Sequence, residues 1–173
     1  MDKPLTILTI LYFSFCSIGF GQGIKQCVER MAKESKKGNM ETAFKNAEKA
    51  FNKIKQAESI DKDNLANLKS IGDFYFDSKK YNNAIEVYSF LCEENKKIFG
   101  EKSIEYSTSL FSLTRSCEFS KDYEAANTYY LQLISIYGDL LSKTDKEYLY
   151  TLDDYARFNL KFKKYIVAKK YFL

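Results

Sequence analysis

Three stretches of the chain repeat one another: KKYNNAIEVY at 79–88, KDYEAANTYY at 121–130 and KKYIVAKKYF at 163–172. Tyr81, Tyr123 and Tyr165 stand 42 residues apart (123 − 81 = 42, 165 − 123 = 42), and Ala84, Ala126 and Ala168 keep the same step. Four residues beyond each alanine comes an aromatic: Tyr88, Tyr130 and Phe172. Upstream the period continues as Leu68-x-x-Ile71-Gly72-x-x-Tyr75, Leu110-x-x-Leu113-Thr114-x-x-Cys117 and Leu152-x-x-Tyr155-Ala156-x-x-Asn159. A period held at this many positions confines the chain to a row of like units, each burying its apolar face against the next. The only proline is Pro4, so no helix breaker falls within the repeated region. The expected fold class is all-α.

These residues resemble the tetratricopeptide repeat, in which large, small and aromatic positions alternate along a pair of helices. The resemblance implies an α-solenoid of antiparallel helical hairpins. Small Gly72, Thr114 and Ala156 would let the two helices of a hairpin approach, and Ala84, Ala126 and Ala168 would mark the crossing. A step of 42 is similar to the longer repeat of kinesin light chains. The added length falls at 92–103 and 134–145, read as a prolonged second helix stopped near Gly100 or Gly138, then a loop. Thr144, with Glu147 three residues on, is expected to cap the next helix. The repeats divide as 64–105, 106–147 and an incomplete 148–173, and Tyr75, Tyr88, Tyr130 and Phe172 are expected in the core.

Residues 22–63 read as a degenerate hairpin serving as a cap. Gly38-Asn39-Met40 lies about one period before Tyr81 (81 − 40 = 41) and Ala43 takes the crossing position, but Ala47 stands where Tyr88 stands later. The resemblance covers 64–173 well and 24–57 weakly, and it departs from the family in lacking Trp and a proline at the hairpin end.

Residues 1–21 read as a secretory leader: Lys3, an uncharged run from Leu5 to Phe20, then Gly19 and Gly21 around the expected cut after Gly21. That places the mature protein in the periplasm or outside the cell. The competing readings are an uncleaved membrane anchor over 5–20 and a buried helix. Bulky Phe15 before Cys16 argues against a lipoprotein site. Cys27, Cys92 and Cys117 remain, an odd number with no metal-site spacing, and read as small apolar fillers. At the other end YIVAKKYFL (165–173) is apolar where a solenoid ordinarily carries a polar cap. That implies a longer parent protein, or a cover such as end-to-end self-association. The resemblance adds that further repeats and a C-terminal effector, for instance a caspase-like peptidase, often follow such arrays.

With no histidine, a Ser-His-Asp triad, a Cys-His pair and a His metal ligand are all excluded. The acid pairs Asp61/Asp63, Glu93/Glu94 and Asp153/Asp154 have ordinary readings as helix-start or solvated-face residues. No catalytic residue, cofactor or metal is expected. The net charge of +4 comes with lysine pairs interleaved with acids, so nucleic acid is not an expected partner. By register the resemblance turns nine residues toward a concave groove: Lys69, Asp73 and Phe76, then Phe111, Arg115 and Glu118, then Asp153, Arg157 and Leu160. This stripe suits a peptide or partner segment, with Arg115 and Arg157 holding carboxylates and Phe76 and Phe111 anchoring apolar groups. The plainer reading is a polar spacer surface.

Overall fold

A computed structural model of the protein describes residues 23–172, in which every regular element is helical. The leader read at 1–21, with Cys16, lies outside the described residues. The chain divides into two compact units, one ending at Ile71 and the other starting at Gly72.

In the first unit, α1 (residues 23–36) and α2 (Met40–Lys55) form a hairpin, followed by the start of α3 (Lys62–Asp77). Helix α2 buries Ala43, Ala47, Ala50, Phe51 and Ile54, positions that recur every three or four residues and so share one face. Ile24, Cys27 and Met31 do the same on α1. The three buried alanines let the α2 backbone pack closely. Helix α3 is capped by Asp61, whose Oδ1 accepts from the Asn64 N–H at 2.8 Å, the N-terminal role expected of that carboxylate.

The second unit holds the rest of α3 and then α4 (Tyr81–Phe99), α5 (Ile104–Ser120), α6 (Tyr123–Leu140), α7 (Lys146–Lys161) and α8 (Tyr165–Tyr171). Helices consecutive along the chain from α4 to α8 pack on one another. The small positions behave as their size requires: Ala84, Ala126, Ala168, Thr114 and Ala156 are all fully buried. Thr114 keeps its hydroxyl satisfied by donating to the Leu110 carbonyl at 2.6 Å. Tyr88 and Tyr130 lie in the core, but Phe172 is 41% exposed. Helix α8 ends at Tyr171 and Phe172 takes an extended backbone, leaving the helical face it was expected to share. Tyr171 supplies the ring contact instead, 4.9 Å from Tyr155.

The helix ends differ in detail from expectation. Helix α4 stops at Gly100, which takes φ +89°, and Ser103 Oγ caps α5 by accepting from the Tyr106 N–H at 3.1 Å. Helix α6, however, runs through Gly138 to Leu140. Thr144 does not cap α7. The boundary residue is Asp145, and Thr144 lies outside it, its hydroxyl 2.8 Å from that of Ser142. Cys27, Cys92 and Cys117 are free and buried; burial pushes the Cys92 thiol up to about 12 and that of Cys117 to about 11.

All four hairpins among the described residues turn in the same way. Gly38, Lys79, Lys121 and Lys163 have positive φ (80°, 58°, 71° and 58°). The next N–H in each case (Asn39, Lys80, Asp122, Lys164) donates back to the carbonyl five residues earlier, at 2.8–2.9 Å. This is the Schellman ending, which needs a left-handed residue and is met with glycine only in the first hairpin. A lysine there carries a Cβ penalty of about 1–2 kcal/mol, of which glycine's extra freedom when unfolded gives back part. Replacing Lys79, Lys121 and Lys163 by Gly should therefore raise stability by about 0.5–1 kcal/mol each, read as a higher urea midpoint. A lower midpoint for Lys121→Gly would contradict it.

Candidate functional site

The nine groove positions lie on the first helices of the hairpins: Lys69, Asp73 and Phe76 on α3, Phe111, Arg115 and Glu118 on α5, and Asp153, Arg157 and Leu160 on α7. Lys69 is an exposed residue of the first unit, and the other eight belong to the second.

Two bridges join α5 to α7. Arg115 Nη1 lies 3.4 Å from Asp154 Oδ2, and Lys161 Nζ lies 3.4 Å from Glu118 Oε1. At that length, and partly exposed, each is worth at most about 1 kcal/mol. The acids of this stripe also orient buried tyrosines. Tyr88 donates to Asp73 Oδ1 at 2.6 Å and Tyr130 donates to Glu118 Oε2 at 3.0 Å. Burial first, and the adjacent carboxylate second, raise both phenols far above their ordinary range. Arg157 Nε meets Asp153 Oδ2 at 2.7 Å along α7. Both arginines thus already face carboxylates of their own chain. Arg115 also keeps a buried Nε–H with no acceptor.

The apolar part centres on a residue that sequence reasoning missed. Phe119 packs against Phe76 and Tyr81, each at 5.4 Å between centroids, yet remains 39% exposed. Arg115 lies over its ring at 5.3 Å and Lys161 at 5.6 Å. Phe76, Arg115 and Glu118 are therefore brought to one patch with Phe119, Asp154 and Lys161. Phe111 is half-buried and Leu160 exposed, without a ring or ion contact to that patch. A signal for Phe119 existed: it follows Tyr81 by 38 residues (119 − 81 = 38), as Phe162 follows its partner Tyr123 by 39 (162 − 123 = 39). In both cases the tyrosine that opens a hairpin's second helix meets an aromatic at the end of the next first helix.

Asp154 is a partly buried carboxylate of the patch. Burial holds its carboxyl above the ordinary aspartate value, with Arg115 working against the rise. The proton is then bound more tightly in the folded chain than in the unfolded one. The resulting stabilisation is full below the ordinary aspartate value and is lost as pH rises through the raised one. Asp154→Asn should flatten this decline and melt no lower than the parent at neutral pH. A lower neutral melting temperature with an unchanged acid slope would contradict it.

Among the described residues no group of three His, Cys, Asp or Glu side chains is placed to hold a metal ion. No helix among them is long and apolar enough to cross a membrane.

No family model matches the chain, and neither does any curated protein. Solved structures do. A Podosopora anserina chain of nearly identical TPR-like repeats, assigned to the kinesin light chains, is similar with a TM-score of 0.67 at 15% identity, over 86% of this chain and 71% of that one. BtubC (BKLC) from P. vanneervenii matches with a TM-score of 0.67 at 14% identity, over 90% of this chain and 61% of that one. The apo form of RapI matches with a TM-score of 0.64 at 15% identity, over 87% of this chain and 53% of that one. The fold is a TPR-like helical repeat solenoid.

Proposed function

We propose that the protein is a non-catalytic protein-interaction scaffold that holds a peptide or partner segment on the face lined by α5, α7 and the end of α3. The carrying observation is Phe119: exposed, braced by Phe76 and Tyr81, and flanked by the cations Arg115 and Lys161. A stiff aromatic beside long, exchangeable ion pairs offers an apolar anchor with carboxylate-binding groups next to it. A partner carboxylate would displace Asp154 from Arg115 or Glu118 from Lys161, at little cost because both bridges are weak. Asp73, Phe111, Asp153, Arg157 and Leu160 would extend the contact along the first helices of the second unit. TPR-like neighbours support protein partners as the class.

The test is selection of binders from a displayed random-peptide library. Peptides dependent on this face should lose binding to Phe119→Ala and to Arg115→Glu, both still helical, and keep it to Lys146→Glu. Selected peptides indifferent to Phe119 and Arg115 would refute the reading. A second reading makes the repeats the recruiting region of a larger effector, such as a caspase-like peptidase. The exposed apolar Tyr165, Ile166 and Phe172 favour it, since they would seat a further helix or another copy. We further read the repeat as the 42-residue kinesin-light-chain type, supported by the spacing of the turn lysines (121 − 79 = 42, 163 − 121 = 42). Export rests on residues 1–21 and predicts Gln22 as the first residue of the mature chain.

A further inference from the structure

The first hairpin carries an open cleft of about 430 Å³ lined by both of its helices. On α1 its lining includes Gln26, Arg30 and Lys33; on α2 it includes Asn46, Lys49 and Lys53. Each triplet is spaced by three or four residues, so each forms one ladder on one helical face. The helices run antiparallel, and each ladder carries one amide and two cations. Glu29 is the one carboxylate among the lining residues. Arg30, Lys33 and Lys49 belong to no ion pair among the described residues, whereas Lys37 and Lys45 of the same hairpin pair with Glu34 and Glu41. Like charges gathered in a cleft repel, and a ligand bringing carboxylates among them relieves that repulsion.

We propose that this cleft is a second docking site, separate from the Phe119 face, for an acidic segment of a protein partner that seats two or more Asp or Glu side chains between the cation ladders of α1 and α2. Three observations favour a peptide over nucleic acid. The ladder from Gln26 to Lys33 is about 10 Å long at 1.5 Å per residue, which suits two turns of a helix or a few extended residues. None of the lining residues is aromatic, so the cleft has no platform on which bases would stack. Glu29 supplies acceptors, as does Asn46, whose amide nitrogen is already bonded to the Thr42 carbonyl at 2.8 Å. Peptide N–H groups can use these acceptors, while a DNA phosphodiester backbone has no donor to offer.

The test uses the full chain and fluorescence anisotropy with three labelled probes: a peptide of alternating Glu and Ala, its counterpart with Gln for Glu, and a single-stranded DNA oligonucleotide of equal charge. The Glu peptide should bind with an affinity that falls as salt rises, and the Gln peptide should not bind. Arg30→Glu/Lys49→Glu should weaken the Glu peptide by about tenfold or more. The reversal Lys121→Glu/Lys146→Glu on the second unit, with the same net charge, should leave binding within about twofold. Should the first variant lose its helical circular dichroism, Arg30→Gln/Lys49→Gln replaces it, with an expected loss of about threefold. Equal loss from the second-unit reversal would reduce the effect to net charge and overturn the site. Equal binding of the Glu and Gln peptides would overturn it too, as would an oligonucleotide that binds more tightly than the Glu peptide.

Discussion

Gly72→Leu should lower the stability of the second unit by about 3 kcal/mol or more, the upper part of the range for over-packed cores. A Cβ at Gly72 would lie 2.5 Å from Tyr88 Cε1, 2.8 Å from Cζ and 2.9 Å from Cδ1. The ring has nowhere to go: Tyr88 is 2% exposed and its hydroxyl is tied to Asp73 at 2.6 Å. Two effects compete in the milder Gly72→Ala. Helix propensity favours alanine by about 1 kcal/mol, and the contact with an immobile ring opposes it by more. Gly72→Ala should therefore destabilise as well, and Tyr88→Leu in that background should cost less than in the parent, since the smaller side chain removes the clash. Urea unfolding of the four proteins measures this coupling. A Gly72→Leu variant as stable as the parent would mean that Gly72 does not lie against the Tyr88 ring.

Tyr130→Ala should cost about 3–5 kcal/mol, and Tyr130→Phe about 1 kcal/mol. Tyr130 is fully buried, its ring 5.5 Å from Tyr155 and 5.3 Å from Phe158 on α7, while its hydroxyl reaches back to Glu118 on α5. Removing the ring opens a cavity where three helices meet. Removing only the hydroxyl leaves the packing and withdraws one donor from Glu118, which is still met by Lys161. The split between the two variants separates packing from hydrogen bonding. A loss below about 1 kcal/mol for Tyr130→Ala would show that the α6–α7 interface collapses freely around the gap.

Helix pairing was legible because it depends on residue size at fixed intervals. Gly72, Thr114 and Ala156, with Ala84, Ala126 and Ala168, are small where two backbones cross, and only position is needed to see that. The aromatics were less legible. Phe172 matches Tyr88 and Tyr130 in register, but its backbone leaves the helix, and a register match carries no information about where a helix ends. Thr144 and Asp145 are both good capping residues one position apart, so composition does not choose between them. The patch around Phe119 was hidden for a different reason. Its contacts run sideways from one first helix to the next, joining residues such as Glu118 and Lys161 that lie 43 apart in the chain (161 − 118 = 43). Lys161 was not singled out by any motif, and Phe119 fell one residue beyond the groove positions that the family register supplies.

The repeated turn has a consequence for how the chain reaches its native state. Each hairpin closes through a bond spanning five residues, between helices that are neighbours along the chain. The entropy of bringing partners together is thus set by one unit and does not grow with the number of units. Contacts this local place the protein among fast-folding topologies, in which ordering can begin at any hairpin and spread to its neighbours. A lysine held left-handed at three of the four turns would then act as a brake on each starting point, and glycine there would quicken initiation as well as strengthen the product.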